Sequence, residues 1–242
     1  MLSILKKEIN SFLNSLIAYM AIIVFLIAIG LFMWVFPATS ILEYGFADME
    51  TLFSMAPYIF MFLIPAITMR SFAEEKKTGT IEFLLTKPLT DTQIIIGKYL
   101  ATVFLVLISI LPTLIYYFSV YLLGNPVGNI DTAGVIGSYI GLFLLGSVFC
   151  SIGVFSSSIT DNQILSFIIA TFLCFLIYEG FSYISTINVW SNFSYYIEQL
   201  GISYHYASIS KGLIDSKTLL YFFSVIFIML SATKLVLGSR KW

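Results

Sequence analysis

Charge is what this sequence has least of. It has twelve lysines and arginines and thirteen aspartates and glutamates, so only 10% of its 242 residues are charged. A water-soluble domain carries roughly 25%. So few charges cannot cover a water-facing surface, and a soluble helical protein of this composition would expose large apolar patches and aggregate. The net charge of −1 offers nothing to nucleic acid. Cysteine is scarce as well: Cys150 and Cys174 both fall in apolar runs, where they read as small packing residues rather than a disulfide or metal pair. The lone histidine, His205, leaves no His-x-x-x-His pair and no base for a serine nucleophile. The phosphate-binding pattern G-x-x-x-x-G-K-[ST] is missing. Its nearest fragment, Gly97-Lys98-Tyr99, lacks the hydroxyl residue and the upstream glycine. A chain without catalysis, cofactor or metal of its own is therefore expected.

What the sequence does have is apolar runs. Hydrophobic residues make up 59% of the chain and mean hydropathy is +0.98. The runs are about 20 residues long, enough to cross a bilayer as a helix. Six spans are predicted, at 16–36, 52–69, 99–123, 134–156, 163–184 and 218–237. The first is too long for a signal-peptide core and reads as a retained helix. Pro57 and Pro65 are expected to kink the second, their freed carbonyls being met by neighbouring helices. Lys234 sits where it can snorkel to the interface. The fold class is all-α integral membrane protein, with no internal repeat and no separate soluble domain.

Ahead of the first span, Leu2, Leu5, Ile9, Phe12, Leu13 and Leu16 recur every three or four residues. Lys6, Lys7, Glu8, Asn10, Ser11 and Asn14 fill the other face. This predicts an amphipathic helix lying in the membrane interface. Thr90 with Gln93, and Thr160 with Gln163, match the capping-box pattern, so helices are expected to begin near Asp91 and Asp161.

The basic residues set an orientation. Six spans put Lys6, Lys7, Arg70, Lys76, Lys77, Lys87, Lys98, Lys234, Arg240 and Lys241 on one side and only Lys211 and Lys217 on the other. By the positive-inside rule both termini are cytoplasmic. The long loop 185–216 then lies outside. Trp190, Phe193, Tyr195, Tyr196, Tyr204 and Tyr206 surround His205 there, a density that suits the headgroup level.

Two intramembrane features stand out. Glu179, near the outer end of the fifth span, is a functional candidate by default: it would line a pathway, pair with a partner protomer, or simply snorkel outward. In the fourth span Gly137, Gly141, Gly146, Cys150, Gly153 and Ser157 form small-residue faces. These are expected to pack against the chain's own helices rather than to form a dimer seam.

The cytoplasmic loop 70–98 holds a charged helical extension that ends at Gly79, a plausible left-handed stop. A short helix follows from Thr80, with Ile81, Leu84 and Leu85 opposite Glu82, and Pro88 ends it. Its shape suits docking of a soluble partner. On physical grounds alone a solvated topology signal explains the same charges.

Residues 74–88, Glu-Glu-Lys-Lys-Thr-Gly-Thr-Ile-Glu-Phe-Leu-Leu-Thr-Lys-Pro, resemble the E-[KR]-x-x-G-T-[LI]-E-x-L-L-x-x-P signature of ABC-2 type transporter permeases. Residues 205–215 and the closing Ser239-Arg-Lys-Trp242 resemble the end of that family. Within it the likeness is greatest to gliding-motility-associated permeases. The resemblance covers nearly the whole chain and implies a single transmembrane domain over 1–242. It makes residues 1–15 an elbow helix, 70–98 a coupling loop and 185–216 an extracellular helical cap. Glu74, Glu75, Gly79, Thr80, Glu82 and Leu85 would couple to a separate ABC ATPase subunit. A second permease chain, identical or paralogous, would complete the unit in the bacterial inner membrane, in gliding systems beside a membrane protein with a large external domain. Export is the expected direction. A scaffold that transmits force without moving a substrate shares every one of these features.

Overall fold

The computed structural model describes residues 2–85, 89–187, 193–213 and 215–239. Lys87, Pro88, Trp190, Arg240 and Lys241 lie outside the described residues, as do the side chains of Leu84 and Leu85. Six helical stretches are long and apolar enough to cross a membrane, and among the described residues there is no strand.

Helix α1 (Leu2–Leu13) precedes the first span, α2 (Leu16–Trp34). A one-turn helix α3 (Ile41–Tyr44) follows, then the second span α4 (Glu50–Thr68) with its extension α5 (Ala73–Lys77). The short α6 (Thr80–Leu85) comes next. The third span is α7 (Asp91–Ile110), a 3₁₀ turn through Pro112, and α8 (Leu114–Leu123). The fourth is α9 (Thr132–Ile159). The fifth is α10 (Gln163–Phe175), a π-type turn at Leu176–Gly180, and α11 (Phe181–Ser185). Short helices α12 (Ser194–Glu198) and α13 (Ile202–Ile209) lead to the last span, α14 (Ser216–Gly238).

Helix α9 is the axis of the bundle. It is buried along most of its length, whereas α2, α10 and α14 turn long apolar rows outward. The glycines of α9 explain its place. A Cβ on Gly137 would come within 2.7 Å of the Gly212 carbonyl oxygen, and one on Gly146 within 2.7 Å of Val106 Cγ1. Gly141 and Gly153 leave similar room for Ile209 and Thr68. These contacts are all within one chain. In lipid, where apolar burial drives little, this close approach is what supplies packing energy.

Helix α4 runs unbroken through both prolines. Pro57 has no N–H for the Phe53 carbonyl four residues back. Tyr206 on α13 takes that carbonyl instead, its Oη donating at 2.8 Å from a buried position. The proline thus opens a backbone acceptor that ties the second span to the 202–209 helix.

Two local expectations need correction. Thr90 and Gln93 form the full capping box, but Thr160 does not cap α10. Asn162 does, its Oδ1 accepting from Ile164 N at 2.9 Å, while Thr160 Oγ1 accepts from Asn162 N at 3.1 Å. The nearer side chain wins the orphan N–H groups, so the helix starts at Gln163 rather than near Asp161. In α1 the inward row is Ile4, Glu8 and Phe12, while Leu2 is 75% exposed. Glu8 therefore belongs to the buried face, and the reason is electrostatic.

Candidate functional site

At the end of the bundle where α1, α5 and α6 meet α7, one lysine organises the structure. Lys98 sits two turns into α7 and is 1% exposed. Its Nζ donates to Glu8 Oε1 at 2.9 Å and to the Ser71 carbonyl at 2.6 Å. It also lies 2.9 Å from Glu75 Oε2, an ion pair off the hydrogen-bond direction, and 5.0 Å from the Phe72 ring centre. Glu75 is held from its other oxygen by Lys7 at 3.1 Å. Three separate elements, α1, α5 and α7, thus converge on one cation. Such a charge is tolerated away from water because it is both paired and hydrogen-bonded. Truncating one partner of a buried pair typically costs about 3–5 kcal/mol.

The surroundings fix α5 further. Ser157 of α9 accepts from the backbone N–H groups of Phe72 and Ala73 at 2.8 and 3.0 Å, and donates to the Met69 carbonyl at 3.1 Å. Lys76 donates to the Ser158 carbonyl. Arg70 grips Glu74 through Nε and Nη2 at 2.9 and 3.2 Å and reaches Ser15 at 3.2 Å. A polar cleft of about 320 Å³ opens between α1 and α5, with Lys7, Glu8, Arg70, Glu74, Glu75 and Lys98 among its walls.

The chain then turns at Gly79, whose φ of +71° lies in the left-handed region that glycine enters at no steric cost. Beyond it α6 buries Ile81 in one cluster with Ile4, Phe72, Ile94 and Ile95 and leaves Thr80 and Glu82 exposed. The six residues predicted to couple to an ATPase therefore divide. Glu75 faces inward on Lys98 and Lys7. Glu74 is tied to Arg70. Gly79 makes the turn, while Thr80 and Glu82 face out. Leu85 is the last residue of α6. Sequence reasoning missed the Glu8–Lys98 pair. The signals were a lysine four residues into an apolar run (Ile94-Ile95-Ile96-Gly97-Lys98) and an acid on the i, i+4, i+8 row Ile4–Glu8–Phe12. Each is costly alone, and together they neutralise one another.

At the opposite end Glu179 lies in the π-type turn. The extra residue of that turn brings neighbouring residues 178 and 179 both to α4. Tyr58 Oη donates to Glu179 Oε1 at 3.0 Å, and the Tyr58 and Tyr178 rings meet edge-on at 6.0 Å. Glu179 forms part of the wall of a cavity of about 1130 Å³ shared with Glu198, Tyr204, His205, Lys211 and Lys217. His205 stacks on Tyr221 with ring centres 3.9 Å apart and its Nε2 lies 2.9 Å from the Gln199 carbonyl. Burial lowers its pKa from the usual 6.5, partly offset by that carbonyl. It is an aromatic packing partner, neutral at physiological pH. Both cysteines are free and buried, and among the described residues no cluster could hold a metal.

Six membrane-length helices packed on a glycine-lined axis, with a charged helical elbow fixed at one end, define a multi-pass membrane protein. The chain belongs to the ABC-2 transporter family: the family model described as ABC-2 family transporter protein matches residues 2–237. Members are the membrane-spanning permease subunits of ABC transporters, not their catalytic subunits, and the family implies an ABC ATPase as partner. No curated protein matches the chain.

Proposed function

We propose that this chain is one of two permease chains in an inner-membrane exporter, driven by a separate ATPase that seats on α5 and α6. Both termini face the cytoplasm in this reading, which the distribution of basic residues supports. The observation that carries it is the short helix α6: set off by Gly79 and presenting Glu82 to solvent, it rests through Ile81 on a base anchored to α1, α7 and α9. A contact made on α6 therefore bears on three parts of the bundle. A link to gliding motility rests on the subfamily likeness of the sequence alone.

The test is purification of the tagged chain from its native membrane into nanodiscs. Stoichiometric capture of an ATPase that hydrolyses ATP supports the reading, and a chain that captures none overturns it. Turnover that rises with an added substrate favours transport. Turnover that ignores every substrate but answers to an envelope partner favours the force-transmitting scaffold.

A further inference from the structure

We propose that Lys98 is a positioning residue: its charge, shared between Glu8 of α1 and Glu75 of α5, fixes the pose of the coupling segment against the third span. The inference rests on the permease reading and adds the element through which a docked ATPase moves the bundle.

A buried ion pair is no efficient source of stability, because apolar residues of similar volume often do as well. What a charge cluster supplies is discrimination between registers. An apolar contact between α1 and α5 tolerates sliding, whereas Lys98 is satisfied only when two carboxylates and the Ser71 carbonyl lie within 2.6–2.9 Å of one nitrogen. A displacement of about one helical turn would leave charged groups unpaired away from water, which is costly.

The lysine is the member of this cluster that lies within a spanning helix, whereas the two acids lie on extensions of the first and second spans. Glu8 belongs to the elbow, and Glu75 to the helix that leads directly, through Thr78 and Gly79, into α6. Lys98 lies on α7, which packs on the central α9 along the row that includes Val106. Force applied at α6 thus reaches α7 through the charge pair of Glu75 and Lys98 as well as through Ile81, clustered with Ile94 and Ile95, and passes on to the α7–α9 contact. Ser157 holds the same α5 backbone from α9, so the segment cannot yield by hinging at Phe72. Lys7 on the second oxygen of Glu75 keeps the elbow in step.

The test uses the full chain in nanodiscs with its captured ATPase, comparing Lys98→Met, which keeps length and loses charge, with Lys98→Arg, which keeps charge. For Lys98→Met, hydrogen exchange should rise in residues 2–13 and 73–85 and stay unchanged in α9. ATP turnover per docked ATPase should fall about tenfold, the scale of couplings carried by such networks. Lys98→Arg should restore both. A staple of stability alone would instead loosen the bundle everywhere and leave turnover per docked ATPase intact, and that result overturns the proposal. So does wild-type behaviour in Lys98→Met. If the wild-type chain captures no ATPase, the permease reading fails, and the exchange pattern still judges the lock. If Lys98→Met does not insert, Glu8→Gln decides: it leaves the Lys98–Glu75 pair in place and should raise exchange in residues 2–13 alone, and unchanged exchange there overturns the proposal.

Discussion

The hydroxyl of Tyr58 donates to the carboxylate of Glu179 across 3.0 Å, joining the second span to the fifth where the latter widens into a π-type turn. The acid is thereby held at the wall of the large cavity at that end of the bundle.

Glu179→Gln should fold and insert normally, since glutamine keeps the volume and an acceptor for Tyr58. Exchanging a charged acceptor for a neutral one weakens the bond by about 1 kcal/mol. Turnover of the complex should therefore fall about fivefold, and Tyr58→Phe should fall with it. Full activity in Glu179→Gln would reduce the residue to an interfacial anchor.

At the coupling turn, Gly79→Val should mis-aim α6, because a β-branched residue is strained at φ +71°. Gly79→Asn, which tolerates the left-handed region, should be milder. Nothing lies within 4 Å of a Cβ built at Gly79, so any effect is conformational rather than steric. Glu82→Lys reverses an exposed charge and should weaken ATPase capture about tenfold if α6 meets a basic surface. Capture measured by co-purification decides, and wild-type capture in both Gly79→Val and Glu82→Lys would leave α6 as a topology signal.

Much of this was legible in the sequence for simple reasons. The spans show because apolar run length is set by bilayer thickness, and the Gly79 turn shows because glycine is the residue that stops a helix in the left-handed region. The capping box at Thr90 shows because both of its partners lie within three residues. The Thr160 case failed on that same scale: Asn162 stands closer and took its place. The Lys98 cluster was hidden for the opposite reason. Its members are 90 and 27 residues apart along the chain, and a charge pair formed across such a distance leaves no periodicity. The role of Tyr206 was equally invisible, since its partner is a backbone carbonyl 153 residues away freed by a proline.

Orientation is open to direct labelling. Cysteine at Thr78 or Ser239 should react only from the cytoplasmic side. Cysteine at Val127 or Tyr196, both well exposed at the other end, should react only from outside. The native cysteines are buried and give little background. External labelling at position 78 would reverse the bundle and remove the docking argument.

Gly137→Leu should destabilise the bundle, because the new side chain would meet the backbone at Gly212, which cannot fold away as a flexible side chain could. Overpacking of this kind costs about 1–3 kcal/mol. A lowered melting temperature in detergent is expected for Gly137→Leu. Leucine at Gly238, where nothing lies within 4 Å, is the control and should melt as the wild type does.

The pairing of Glu8 with Lys98 also imposes an order on biosynthesis. The lysine leaves the ribosome 90 residues after its acid, roughly 5–18 s later at ordinary rates of elongation. Throughout that interval the N-terminal helix has no lysine from the third span to face. It waits at the bilayer surface on its apolar stripe while two spans are threaded, tied at most through Lys7 to Glu75, and its own acid is neutralised only when the third arrives. A nascent chain arrested short of residue 98 should keep that helix open to protease, and one arrested well beyond it should not. A tie made only when the third span arrives thus involves the first helix synthesised.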